Sequence, residues 1–227
     1  MRTTPCRSGW LLVVALALPT VLPADQTEVY RAVGLETKDI LSGTVVSARV
    51  AATDSKQVVC LTTYFTGKTE KSTAINIRLD IFERQGETLV PLYSRDFGQE
   101  NGGYLADGNL ELLDLDQDGL QEIIVSYESY KNPLIEQRVA EVILFDGVGF
   151  RTGWTGPMEY DATRAARDVP PERRDRFRRR FDFEKTMRSR GMTLFVRKEM
   201  IAVAGERLET PQIVEEAFPL RSRRTRR

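Results

Sequence analysis

Apolar and polar residues alternate one for one across the middle of the chain: Ile75, Ile77, Leu79 and Ile81 fall on one side, Asn76, Arg78 and Asp80 on the other. A period of two is what a strand lying on a core requires. Residues Gln57 to Phe65, Ile123 to Tyr127 and Val139 to Phe145 are rich in β-branched and aromatic side chains and predict further strands. Glycines at Gly67, Gly86, Gly102, Gly103, Gly108, Gly147 and Gly149 supply the breaks between them. The first two-thirds of the chain therefore predict an antiparallel β-meander.

The pattern changes after Gly156. Asp161 is placed to cap a short helix through Ala166, which Pro170 and Pro171 end. Pro171 suits the first position of a second helix from Glu172 to Arg190, stopped by Gly191. Phe177 and Phe181 stand four apart, as do Phe183 and Met187, and nine Arg or Lys against four Asp or Glu make residues 172–190 strongly basic. Such a helix either packs its phenylalanines on the sheet or meets an anionic surface. Met192 to Ala204 reads as strand again, ended by Gly205, and Arg221 to Arg227 form an arginine-rich tail.

A faint internal repeat underlies the meander. Asp54–Leu61 lies on Asp118–Val125 at an offset of 64, and Phe82–Gly86 on Phe145–Gly149 at an offset of 63. In that alignment Val50 and Ala52 of the first copy stand where the second has Asp114 and Asp116.

The second copy carries the chain's candidate chemistry. Asp114, Asp116 and Asp118 occur at every second position, Gly119 follows, and Glu122 closes the stretch. Alternate residues of an extended loop point the same way, so three carboxylates can share a centre. Hard cations such as Ca²⁺ take six to eight oxygens, and carboxylates packed this densely repel one another without one. A helix–loop–helix calcium hand is excluded, because its twelfth position demands a bidentate Glu and here holds Val125. The short strand-like flank Asn109 to Leu113 and the run Ile123-Ile124-Val125 instead put the loop between two strands.

Residues Leu113 to Val125 resemble the calcium loop of FG-GAP (integrin-α-like, or VCBS-type) β-propeller repeats, in which Asp-x-Asp-x-Asp-Gly-x-x-Asp runs into an apolar strand. The resemblance implies Ca²⁺ held by Asp114, Asp116, Asp118, the carbonyl of Leu120, and Glu122, the last standing where Asp is usual. A blade period near 60 residues fits the internal repeat. A closed propeller needs at least four blades, more than this chain can supply.

Arg2 and Arg7 precede an apolar run from Trp10 to Leu18, extended by Val21 and Leu22, and Ala24 precedes polar Asp25. These are the parts of a secretory signal, too short for a membrane span, and they predict an exported chain. Cleavage after Ala24 removes Cys6 and leaves Cys60 alone, within an apolar run where a buried, inert thiol is expected. Lys plus Arg and Asp plus Glu both total 33, so overall charge selects no partner. The chain has no histidine, which excludes Ser-His-Asp and Cys-His catalysis and imidazole-held zinc.

The expected architecture is mainly β: two blade-like units in an antiparallel meander, as an incomplete propeller or sandwich, with a C-terminal helical segment and terminal strands. The expected organisation is a signal peptide over 1–24 and a β-domain with the calcium loop over 25–156. A basic helical segment over 157–191, strands over 192–220 and a tail over 221–227 follow. The expected function is a secreted, non-catalytic calcium-binding domain whose ion stabilises a hairpin that supports protein or glycan interaction. Its partners include no nucleic acid, and the mature chain has no transmembrane span. Two alternatives stand beside it. One is a metal- or carboxylate-dependent hydrolase of an exported polymer, with Glu128, Asp107 and Glu111 near the loop. The other is an envelope-adhesion module using the basic helix and the tail Arg221–Arg227 on an anionic polymer.

Overall fold

Eleven strands in two antiparallel sheets account for most of the chain in the computed structural model, which describes residues 26–69, 72–98, 105–130, 135–165, 169–190 and 193–220. The expected signal segment over 1–24 and the arginine-rich tail over 221–227 lie outside the described residues. The first sheet is β1 (Ile40–Ala48), β2 (Gln57–Thr69), β3 (Ser72–Gln85) and β4 (Thr88–Asp96), in that order. The second runs from β5 (Leu105–Leu113) through β6 (Glu122–Ser129), β7 (Glu136–Phe145), β8 (Phe150–Asp161) and β9 (Arg176–Phe181) to β10 (Thr193–Val203) and β11 (Glu206–Pro219). Within each sheet every strand pairs with its neighbour in sequence, so each sheet is a meander with no crossover, and neither closes into a barrel. The first sheet has four strands and the second seven, which gives the expected mainly-β antiparallel meander in two sheets.

The predicted alternation supplies the core between the sheets. Val59, Leu61, Ile77, Leu79 and Ile81 of the first sheet meet Ile123, Val125, Tyr127, Val139 and Ile143 of the second. Burial of this many branched and aromatic side chains is the main force holding two sheets face to face. One ion pair bridges the layers within that core: Arg95 on β4 reaches Glu141 on β7 at 2.7 Å, and Tyr127 Oη donates to Glu141 Oε1 at 3.0 Å. The polar side of the β3 alternation is also covered. Asp80 is only 2% exposed, accepts from Arg78 Nε and Nη2 at 3.0 and 2.9 Å, and has its carboxyl pushed up by burial.

The outer face of the first sheet is covered by a helix that the hydrophobic pattern did not announce, α1 (Gln26–Val33). Val29 and Val33, four apart, pack with Val58, Cys60 and Phe82. Gly34, at φ 77°, ends α1. Gly34 N donates to Arg31 O, and Leu35 N donates to Tyr30 O, the paired bonds of a left-handed helix cap. Glu28 then ties α1 to Arg84 of β3 through two bonds of 3.0 and 3.3 Å.

The basic segment corrects the sequence reading. Strand β8 runs through Gly156 to Asp161, so the segment begins inside a strand. No helix follows over the described residues 162–165; Asp161 Oδ1 instead accepts from the backbone N and hydroxyl of Thr163. Residues 172–190 are not one helix but a single 3₁₀ turn (Pro171–Arg173), strand β9, and the short helix α2 (Phe183–Arg188). The reason is an ambiguity of spacing: residues four apart share a side in a strand as well as in a helix. Phe177 pairs with Met200 and Phe181 with Val196 of β10, while Arg176, Arg178 and Arg180 are exposed. Asp182 then caps α2 by accepting from Lys185 N at 2.9 Å.

A second apolar cluster packs Trp154, Val142, Ile124, Leu194, Val196 and Leu220, joining the terminal strands to the outer side of β6–β8. Cys60 is fully buried and its thiol is pushed up to about 11 by burial, as an inert core cysteine should be.

Candidate metal centre

The acidic loop is the turn between β5 and β6. Leu113 and Glu122 form the last pair of that hairpin, and residues 114–121 arch over it. Leu115, fully buried in the second apolar cluster, pins the arch from below. Glu122, 4% exposed, turns its side chain back under the arch, where Oε2 accepts from Leu115 N at 2.7 Å. Asp114 accepts from Asp118 N at 3.1 Å and from Gly119 N at 3.0 Å; Asp116 Oδ1 accepts from Asp118 N at 3.2 Å. Two residues take left-handed backbone, Gly119 at φ 87° and Gln117 at φ 60°. The glycine was legible as the turn residue; the glutamine was not.

Carboxylate oxygens of Asp114, Asp116 and Glu122 all lie within 4.8 Å of one another, the one such group among the described residues. Two oxygens on one Ca²⁺, each about 2.3–2.6 Å from it, stand no more than about 5.2 Å apart. The three fit that limit, and an all-oxygen, all-anionic donor set is the chemistry a hard cation requires. Asp118 is exposed and lies outside the group; its Oδ1 accepts from Leu120 N at 2.9 Å, at the half-buried end of the loop.

The turn between β1 and β2 has the same framework. Pairs Thr44↔Leu61 through Ala48↔Gln57 map, residue for residue, onto Asn109↔Ser126 through Leu113↔Glu122 at an offset of 65. The sequence alignment at 64 is thus one residue out here. The residues standing at the positions of Asp114, Asp116 and Asp118 are Arg49, Ala51 and Thr53, and Gln57 stands at that of Glu122. Gln57 does the same work as Glu122: its Oε1 accepts from Val50 N and Ala51 N, both at 3.0 Å, and Val50 corresponds to Leu115. Its amide also donates, through Nε2, to Thr53 Oγ1 at 2.6 Å and Ser55 O at 2.7 Å. A carboxylate has no such donor. The two turns touch, with Gln121 N donating to Arg49 O at 2.7 Å.

No protein-family model, curated protein or solved structure matches the chain. The likeness to FG-GAP repeats rests on the sequence of the loop and its flanks and on the repeat period.

Proposed function

We propose that this chain is an exported, non-catalytic calcium-binding β-domain, in which the ion closes the β5–β6 hairpin and so steadies a surface that engages a protein or glycan. The observation that carries the reading is the exchange of Gln57 for Glu122 in two turns of equal register. In the first turn an amide accepts on one side and donates on the other. In the second the acceptor is kept, the donor is gone, and carboxylate oxygens of Asp114 and Asp116 lie within 4.8 Å of one on Glu122. A cation supplies there what Nε2 supplies in the first turn. We read the hairpins as two copies of one FG-GAP-like unit, of which only the second retains its ion, held by Asp114, Asp116 and Glu122 with Asp118 and the Leu120 carbonyl completing the shell.

Ca²⁺ in this role is structural: it binds the folded hairpin, and its binding energy adds to stability. Thermal unfolding in EDTA, in a few millimolar CaCl₂ and in MgCl₂ tests it. At a calcium concentration about tenfold above Kd the gain is about 1.4 kcal/mol, or about 3–6 °C for a domain this size. Equal curves in all three buffers would remove calcium from the account.

A further inference from the structure

At the other end of β6, about 20 Å along the strand from Glu122 at 3.3 Å per residue, the second sheet carries a feature the ion loop does not explain. Cross-strand pairing sets Glu128 of β6 opposite Arg138 of β7, Arg138 opposite Glu159 of β8, Glu159 opposite Arg178 of β9, and Arg178 opposite Glu199 of β10. Directly paired residues share a face, so acid and guanidinium alternate across five strands, a row of about 19 Å at 4.8 Å per strand. A second, shorter row beside it runs Glu136, Asp161, Arg176. Both rows line one cleft of about 370 Å³, except for Glu199 at the far end. That volume lies in the range of small-ligand sites.

Only part of this charge is used internally. Arg176 pairs with Asp161 at 3.2 Å and Arg138 approaches Glu128 at 3.8 Å. Glu136 and Asp161 stand directly opposite each other, and each has its own cation, Glu136 with Arg164 at 3.4 Å and Asp161 with Arg176. Glu159 and Arg178 are exposed. Tyr130, 48% exposed, stands at the rim with its hydroxyl on Glu128.

The composition selects the ligand. Four carboxylates against three guanidiniums line the cleft. At a spacing of about 5 Å, well inside the screening length, their fields oppose one another at any point a ligand occupies. A polycation or polyanion therefore gains little. Carboxylates only accept hydrogen bonds and guanidiniums only donate them. A row that alternates the two is satisfied by a ligand bearing adjacent groups that each do both, which is what the neighbouring hydroxyls of a sugar are. The exposed ring of Tyr130 offers an apolar face for the C–H side of such a ring.

We propose that the cleft across β6–β9 binds a neutral oligosaccharide, with Glu159 and Arg178 as its central polar contacts. The site is separate from the ion loop, and the test reads each independently. Calorimetry of the full chain in CaCl₂ would use hexasaccharides of glucose, N-acetylglucosamine, xylose and mannose. Spermine, polyphosphate and an alternating Lys-Glu peptide serve as comparators, all at low and high salt. At least one sugar is expected to bind with an affinity that salt leaves nearly unchanged. Glu159→Gln and Arg178→Ala should each weaken it about tenfold or more, as loss of a charge-assisted hydrogen bond does. Tyr130→Ala should weaken it less. The calcium-dependent melting shift of each variant, unchanged from the parent, shows that the fold and the ion loop persist. Binding of no sugar, binding indifferent to both central variants, or binding of a charged comparator alone overturns the proposal while leaving the ion reading where it was.

Discussion

The turns at 49–56 and 114–121 have one strand register and two ways of being held. In the first, Gln57 reaches back under the arch and makes four bonds, two as acceptor and two as donor. In the second, Glu122 makes the equivalent backbone bond to Leu115 N, and its carboxylate then shares space with those of Asp114 and Asp116. A buried polar group is stable when all its hydrogen-bonding capacity is met. The amide meets it from the chain itself; the carboxylate cluster brings three like charges together, which the proposed cation would offset. On the calcium reading, a carboxylate in place of an amide, with aspartates at Asp114 and Asp116 in place of Arg49 and Ala51, separates a self-sufficient turn from one that depends on an ion.

The largest effect in this comparison belongs to the self-sufficient turn. Gln57→Leu leaves the buried N–H groups of Val50 and Ala51 without their acceptor. Each such orphan costs about 1–3 kcal/mol, so a loss of about 2–6 kcal/mol is expected in urea unfolding. Calcium and EDTA should give the same loss; a loss seen only in calcium would mean that the two turns are not independent. Gln57→Glu is the sharper variant. It keeps the acceptor, discards the donor, and should cost about 1–3 kcal/mol at neutral pH. Calcium should not restore it, because Arg49, Ala51 and Thr53 occupy the positions that carry carboxylates in the second turn. A calcium-dependent recovery would show that a carboxylate at this one position, without aspartates at the neighbouring positions, suffices for a site.

In the acidic turn, Asp116→Asn should abolish the calcium gain of about 1.4 kcal/mol set by a tenfold excess over Kd. In EDTA the same variant should be as stable as the parent or slightly more so, since one of three crowded negative charges is gone. Equal calcium shifts in parent and variant would dismiss Asp116 as a ligand and the cluster as an ion site.

The strands were legible because the inter-sheet core sits on one side of each, and Ile75 to Ile81 wrote that side out without interruption. The acidic loop was legible because its spacing has few other uses. The equivalence of Gln57 and Glu122 was missed by one residue, and in a strand a slip of one moves every side chain to the opposite face. The sequence alignment set Gln57 against Gln121, chemically alike and on the wrong side. The basic segment failed for a different reason. Phe177 and Phe181 satisfy both periods, and what decides between them is the pairing of β9 with β10, some twenty residues further on. Local spacing holds no record of that partner. Helix α1 offered only Val29 and Val33 as a pattern, too few positions to separate it from the apolar run before it.

The smallest effect tests whether backbone strain, as well as charge, distinguishes the turns. Residues 49–56 contain no left-handed backbone, whereas 114–121 contain two such positions, one of them Gln117 at φ 60°. A left-handed residue with a Cβ costs about 1–2 kcal/mol, and the extra freedom of glycine in the unfolded chain returns about 0.5–1 kcal/mol of that. Gln117→Gly should therefore stabilise the protein by about 0.5 kcal/mol. The gain should be equal in EDTA and in calcium, because Gln117 is exposed and outside the carboxylate group. A gain confined to EDTA would mean that the ion already relieves the strain, making calcium a reshaper of the loop as well as a counter-charge. A loss of the calcium shift would mean that the stiffness of Gln117 holds the aspartates in place, and the contrast between the turns would then lie in the backbone as much as in the replacement of an amide by a carboxylate.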